Sequence, residues 1–378
     1  MHIGFITSHF PFKNAKSVGG IGTSIKNLSD ELIISGHQVT VFVYGQEKDE
    51  NYIDDKIEIV TIKNIKLKGL SWYLTRKKIQ KKINELKLDI VEAPDWDGIT
   101  SFIKTKCPLI IKLHGSDAYF CHLDNRKVKT TNKFHEKRAF KNANAIIAVS
   151  SFTGKITNEL FETQKPFQVI PNGVNLAKFD SDTTENNSKI ILYFGGIIRK
   201  KGLLEMPYYF NKVVKEIPDA RLTLIGQDMR DIISGKNSTM AMMNDLFDKE
   251  AIKRVTFLGN VPYQEIKNHI QEAGLCIFPS FAEALPVSWI EAMAMKKPIV
   301  ASNIGWASEI IDDGIDGFLE DPKNHDFFAK KIINLLNDND LKHKIGIAAR
   351  EKIIYKFSTQ VVAKQHIEFY NKIIKNEF

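Results

Sequence analysis

The sequence has little cysteine and no long hydrophobic run, and each absence excludes something. Its three cysteines, Cys107, Cys121 and Cys276, lie far apart. An odd, scattered set gives neither a disulfide framework nor a metal-ligand spacing, so a reducing, cytoplasmic compartment is expected. No stretch approaches the roughly 18–20 consecutive apolar residues that a membrane span needs. The chain opens Met1-His2-Ile3-Gly4-Phe5-Ile6. No basic residues precede this run and no cleavage pattern follows it, so it reads as a buried strand and not as a signal peptide. There is no repeat at solenoid spacing, no low-complexity tract, no nucleophile triad and no zinc spacing. A full G-x-G-x-x-G dinucleotide fingerprint is also missing.

What is present suffices for two domains. The 378 residues are 43% hydrophobic and 10% aromatic, values of a folded globular chain. The net charge of +8 suits an anionic partner such as nucleic acid, an anionic membrane or a phosphorylated ligand. A bias towards Lys, Ile and Asn with no functional meaning accounts for it equally well.

Short, apolar, unalternating runs recur along the chain, as strands covered on both faces must. They are His2–Thr7, Val39–Tyr44, Ile57–Ile62, Ile90–Ala93, Leu109–Leu113, Ala145–Val149 and Gln168–Ile170, then Ile190–Phe194, Leu222–Ile225, Val255–Leu258, Leu275–Phe278 and Pro298–Ala301. Helical spacing lies between many of them. Ile21, Ile25, Leu28 and Leu32 sit three to four apart, and Gly36 ends that helix. Such alternation means α/β architecture with parallel sheets. The polar run Asp180–Ser188 is the one clear composition break, and it divides the strands into seven and five. Two doubly wound domains are expected, 1–180 and 181–358. Open parallel sheets bind ligands beyond the carboxyl ends of their strands, so two facing sheets would make a central cleft.

The strongest chemical signal is the segment from Ser280 to Ala294, SFAEALPVSWIEAMA. It follows a strand and leads into a helix with Pro286 near its first turn. Glu283 is then in a loop at a strand's carboxyl end, and Glu291 is two turns on, inside the helix. The helix start at Leu285, Pro286 and Val287 favours an anion such as a diphosphate. A carboxylate accepts two hydroxyls of a sugar or ribose ring. An ordinary surface helix with two solvated glutamates is the competing account.

Glu283 and Glu291, with seven residues between them within PSFAEALPVSWIEAMAMKKPIVAS, resemble the signature of retaining glycosyltransferases of family 4, which have the GT-B fold. Further pieces follow in the family's order: GGIG at Gly19–Gly22, HGSD at His114–Asp117, IPNGVNLAKF at Ile170–Phe179, GGIIRKKG at Gly195–Gly202, VTFLGNV at Val255–Val261, and Phe357-Ser358 with a later Tyr370. Each is weak alone; order and spacing together are strong. The resemblance covers most of the chain.

The resemblance implies roles. Glu283 would hold donor-sugar hydroxyls near the reacting carbon, Glu291 the ribose, and Lys201 the diphosphate leaving group. A fixed cation there stabilises the charge that builds as the sugar–phosphate bond breaks. The family usually has Arg directly after the glycine, five residues before this lysine. Here that position is Gly196, and Arg199 or Lys200 is the candidate substitute, with a solvated basic turn as the alternative. His114, at a strand end, would face the donor sugar. Asp117 would touch the acceptor or orient a loop. The resemblance also implies a last helix, about Thr359–Lys375 within 359–378, that crosses back onto the first domain.

Gly19, Gly20 and Gly22 open the first helix, where glycine lets the backbone approach a phosphate or acceptor, or simply makes a tight turn. Asp95-Trp96-Asp97 has the form of a divalent-cation pair. It lies in the N-terminal half, away from the family's donor site, and no metal or other cofactor is expected. Residues 63–87 hold nine Lys or Arg and one Glu. Trp72, Ile79, Ile83 and Leu86 fall on one helical face, which suits either an anionic membrane or a core-packed helix with a lysine-rich solvent face. Arg126–Lys141 is a second basic segment.

The expected function is retaining, metal-independent transfer of a hexosyl-type sugar from a UDP or GDP sugar to a hydroxyl of a glycan or lipid-linked acceptor. No nucleic-acid partner is expected. The rivals are a phosphorylase or epimerase of the same fold, and a basic scaffold that binds membrane or nucleic acid. Trp289 and Trp306, near the expected donor site, either narrow sugar choice or pack.

Overall fold

The fold is described from a computed structural model, in which residues 1–12, 19–180 and 187–377 are described. The chain forms two compact units, residues 1–173 with 357–378, and residues 174–356. The division falls at Gly173 and not at 180, and residues 181–186 of the polar run Asp180–Ser188 lie outside the described residues.

The first unit holds an eight-stranded sheet: β1 His2–Thr7, β2 Gln38–Gln46, β3 Asn51–Asp54, β4 Ile57–Lys63, β5 Ile90–Pro94, β6 Leu109–Leu113, β7 Ala145–Ala148 and β8 Gln168–Val169. Their spatial order is β3-β4-β2-β1-β5-β6-β7-β8. All neighbours are parallel except β3, which pairs antiparallel with β4. β3 is absent from the sequence reading because NYID is short, polar and half exposed at the sheet edge.

The helices are α1 Gly20–Ile34, α2 Ser71–Glu85, α3 Asp117–Leu123, α4 Thr130–Asn142 and α5 Ser151–Phe161. The lack of alternation in the strands has a direct cause. Val39, Val41 and Val43 pack with Ile25, Leu28 and Leu32 of α1 on one face, while Phe42 and Tyr44 pack with Ile79 and Ile83 of α2 on the other. Gly36 takes φ +84° just past α1 and its N–H bonds the Ile33 carbonyl, closing the helix.

The C-terminal helix, Thr359–Ile374, belongs to this unit. Ser358 caps its start, accepting from the Val361 N–H. Val362, Ala363, Phe369 and Ile373 join the α1 side of the core. Polar groups go under with them. Tyr370 donates to Glu92 Oε2 at 2.7 Å. Lys112 Nζ donates to His366 Nε2 at 3.3 Å, and His366 Nδ1 donates to the Val362 carbonyl at 2.8 Å. These four side chains are all buried. Burial pushes Glu92 up and pushes Lys112 and His366 down, towards their neutral forms.

The second unit holds six parallel strands: β9 Ile190–Phe194, β10 Arg221–Ile225, β11 Val255–Gly259, β12 Leu275–Phe278, β13 Ile299–Ser302 and β14 Phe318–Glu320. Their order, β11-β10-β9-β12-β13-β14, reverses between β9 and β12. The three-residue β14 is too short to read from sequence. β11 was expected to be covered on both faces; it is an edge strand with its middle residues exposed. Its helices are α6 Met206–Glu216, α7 Thr239–Asn244, α8 Ile266–Glu272, α9 Val287–Ala294, α10 His325–Asn337 and α11 Asn339–Lys352. Both units are thus α/β and doubly wound.

Tyr370→Phe removes the donor to a buried carboxylate. It is expected to destabilise the first unit by about 1–3 kcal/mol, read as a lower melting temperature and faster amide exchange in the C-terminal helix.

Candidate functional site

In the second unit the strand order reverses between β9 and β12, and the loops that leave their carboxyl ends carry the candidate residues. The first loop runs Gly195–Gly202 and the second Pro279–Pro286. They are held against each other. The Phe281 and Ala282 N–H groups donate to the Lys200 carbonyl at 2.8 and 3.2 Å. Gly202 has φ +72°, and a Cβ there would lie 1.9 Å from the Pro279 carbonyl oxygen. Only glycine fits that approach.

The result is a direct pairing of Lys201 Nζ with Glu283 Oε1. Ser280 Oγ also donates to that oxygen, at 3.1 Å. Glu283 is buried and Lys201 is partly buried. A cation and a carboxylate therefore meet where ligands bind in this topology.

Pro286 is the N-cap of α9, one position before the expected first turn, and Val287 begins the helix. Leu285 is buried. Glu291 is inside α9, buried, and accepts from the Tyr263 hydroxyl. Burial pushes its carboxyl up to about 7, while the Tyr263 hydrogen bond pulls the other way. A solvated surface helix is therefore excluded for both glutamates.

Arg199 forks onto Asp231, with Nε and Nη2 each 2.8 Å from a carboxylate oxygen. Asp231 is buried, and Arg199 holds it well below the usual carboxylate range. The guanidinium is thus engaged by an internal carboxylate, not turned towards Lys201 as the sole partner of an anion. Gly196 has no atom within 4 Å of where a Cβ would stand, so the position has room for a side chain. Trp289 and Trp306 are both fully buried; they pack.

In the first unit the order reverses between β1 and β5. His114 follows β6 and is buried, and burial together with the Lys112 charge pushes its imidazole well down, to the neutral form. Its loop is held by a residue that the sequence offered only as half of a metal pair. Asp95, directly after β5, accepts from the His114 N–H at 2.9 Å and the Gly115 N–H at 3.1 Å. Asp97 instead faces the Tyr44 hydroxyl at 3.4 Å. Both carboxylates are pushed up to about 7 by burial. Among the described residues no group of three or more His, Cys, Asp or Glu side chains is placed to hold a metal ion.

Asp117 begins α3. Its carboxylate accepts from Asn132 Nδ2 at 3.0 Å and its N–H donates to Glu136 at 3.0 Å, so it ties α3 to α4. Gly22 is buried, and a Cβ there would lie 2.5 Å from the His9 carbonyl oxygen; close packing of α1 on the loop after β1 requires it. Gly19 and Gly20 are exposed, with open space around them.

Two family models together span nearly all of this architecture. Glycosyltransferase Family 4 matches residues 18–178, and Glycosyl transferases group 1 matches residues 176–352. The chain belongs to the family 4 glycosyltransferases. An uncharacterised glycosyltransferase of Methanocaldococcus jannaschii is 24% identical, with 98% of each chain covered. The α-monoglucosyldiacylglycerol synthase of Acholeplasma laidlawii is 26% identical over 89% of this chain and 86% of its own. Among solved structures, HepE of Anabaena in complex with UDP-glucose superposes with a TM-score of 0.73 at 19% identity, covering 98% of this chain and all of that one. That likeness establishes the GT-B fold.

In this glycosyltransferase the sequence motifs converge unevenly. Lys201, Glu283 and the start of α9 are brought together; Arg199 is committed to Asp231; Asp117 serves its own helix pair. Sequence reading missed Asp95, Asp231 and Tyr263 as partners. No spacing rule links them to the residues they hold.

Asp95→Ala leaves two amide donors unpaired at a buried strand end. Amide exchange at His114 and Gly115 is expected to accelerate at least about tenfold, against little change in the second unit. Glu291 gives a pH signature. Its raised pKa makes its contribution fullest below the unfolded value of 4.5 and loses it as pH rises through about 7. Glu291→Gln should therefore gain stability relative to the parent between pH 5 and pH 8, by at most roughly 3 kcal/mol. Thermal melts across that range check it; a pH-independent difference refutes it.

Proposed function

We propose that this glycosyltransferase moves a hexosyl-type sugar from a UDP or GDP sugar to a hydroxyl of a glycan or lipid-linked acceptor, with retention at the sugar carbon and without a metal. The observation that carries this reading is the Lys201–Glu283 pair at the strand-order reversal of the second unit. Without a donor the two charges satisfy each other. A donor offers better partners to both: sugar hydroxyls donate to Glu283, and the diphosphate takes Lys201. As the sugar–phosphate bond breaks, charge grows on the phosphate oxygens and the lysine stabilises that state more than the ground state. Glu291 accepts the ribose hydroxyls from inside α9. Neutral His114 serves sugar placement through its ring and backbone, on a loop held by Asp95.

The fold shared with HepE in its UDP-glucose complex supports a uridine donor, and the relative named as a diacylglycerol-lipid synthase supports a lipid acceptor. We place the enzyme in the cytoplasm, at the inner face of the membrane. Among the described residues no helix is long and apolar enough to cross a membrane.

Thermal shift against UDP, GDP, ADP, TDP and their sugar conjugates tests the donor site. One nucleotide should stabilise the protein selectively, and Glu291→Ala should abolish the shift. Lys201→Ala should lower the transfer rate about 10²–10³-fold. No shift with any nucleotide, with or without magnesium, overturns the reading. Stabilisation that requires magnesium overturns its metal independence.

A further inference from the structure

The first unit carries a surface that its core does not use. α2 spends Ile79 and Ile83 on the core, so the apolar stripe of that helix faces inward and the lysine-rich face is its solvent side. Yet an apolar surface remains beside it. Leu67, Leu70, Trp72, Tyr73, Phe102 and Phe134 are each 44–55% exposed. They come from three separate segments and are drawn together by cations. The Arg76 guanidinium sits 5.5 Å from the Trp72 ring centre and 5.7 Å from that of Phe102. Arg138 sits 4.4 Å from the Phe102 ring on its own side, and the Phe102 and Phe134 rings are 6.4 Å apart.

The surroundings are basic. Between Lys63 and Asn84 there are eight Lys or Arg and no acidic residue. Lys78 pairs with Asp49 and Lys81 with Glu85, but among the described residues no carboxylate lies within 4.0 Å of the Lys66, Lys68 or Lys77 amines. Lys133 and Arg138 flank Phe134 from α4, and the acidic residue between them, Glu136, is buried under α3.

We propose that this face docks on an anionic phospholipid bilayer. Aliphatic and aromatic side chains ringed by unpaired lysines match the headgroup–acyl boundary, where rings and methylenes enter the apolar edge and ammonium groups meet lipid phosphates. A nucleic-acid site would want open ring faces for base stacking. Here guanidinium groups stand over Trp72 and Phe102, and Leu67 and Leu70 offer a base nothing to stack on.

The docking face is built onto the loop that holds His114. Arg76 donates from Nε to the Ile99 carbonyl at 3.0 Å and from Nη2 to the Gly98 carbonyl at 3.3 Å. α4 lies directly on the same loop: a Cβ on Gly98 would stand 2.3 Å from the His135 carbonyl carbon. That loop begins at Asp95, whose carboxylate carries the His114 and Gly115 amides. Lipid contact and the His114 strand end thus share one rigid support. The inference deepens the lipid-linked acceptor reading, but docking does not depend on donor chemistry, and the two are measured separately.

The test is co-sedimentation of the full chain with vesicles of phosphatidylcholine alone or with about a third phosphatidylglycerol, at low and high salt. The protein should sediment with anionic vesicles only, lose binding in high salt, and show a blue-shifted tryptophan emission that Trp72→Phe removes. Trp72→Ala with Phe134→Ala, and separately Lys66→Glu with Lys68→Glu, should weaken partitioning at least about tenfold. Lys236→Glu, in the other unit, should not. Melting temperature and nucleotide-induced thermal shift should be unchanged in every variant, which separates this result from failure of the donor reading. Equal sedimentation of parent and variants, no sedimentation with anionic vesicles, or retention by duplex DNA at the same salt without vesicle binding would each overturn the proposal.

Discussion

Gly202 can carry no side chain, and the candidate site depends on that. Its missing Cβ lets the loop after β9 press on the carbonyl of Pro279 after β12, at the point where the sheet order reverses. Two backbone N–H groups then close on the Lys200 carbonyl. With the loops fixed by backbone, Lys201 has little choice but to meet Glu283, and α9 starts where the second loop ends. The charged pair is a consequence of main-chain packing, so its geometry owes little to long, flexible side chains.

The same economy appears in the first unit, with carboxylates in place of glycine. Asp95 holds the loop after β6, and Glu136 accepts from the N–H groups of Asp117 and Ala118 at the start of α3. Burial raises Asp95 to about 7 and Glu136 to about 8. Each is tolerated in the interior because it receives two amide hydrogens. Such groups rigidify a strand end without touching a ligand, and their removal would be felt as misplacement.

The fold was largely legible because strands leave short apolar runs in the sequence: twelve of the fourteen strands among the described residues announce themselves so, and only the polar edge strand β3 and the three-residue β14 do not. The motif residues Glu283, Glu291, Lys201 and His114 were legible from type and order. Their partners were not. Asp231, which takes Arg199, is 32 residues away; Tyr263, which donates to Glu291, is 28 away; Asp95 was visible only as a pair with Asp97. Linear spacing encodes what lies along one element, and these contacts join elements that the sheet topology brings together. The lysine-rich helix shows the converse: spacing placed Trp72 with Ile79 and Ile83, but the sheet took the two isoleucines and left the tryptophan outside.

The return of the final helix to the first unit has a consequence for the chain as it emerges from the ribosome. Residues 174–356 form a continuous stretch and have all their strands once that stretch is out. The first unit, although most of it is synthesised earlier, lacks Phe369, Tyr370 and Ile373 until residues 359–374 are made, and one face of its sheet core stays partly uncovered. Glu92 and Lys112 wait in that face for Tyr370 and His366. The strands of residues 174–356 are thus complete before the helix that covers the first unit is made, so the second unit can close while apolar surface of the first is still open.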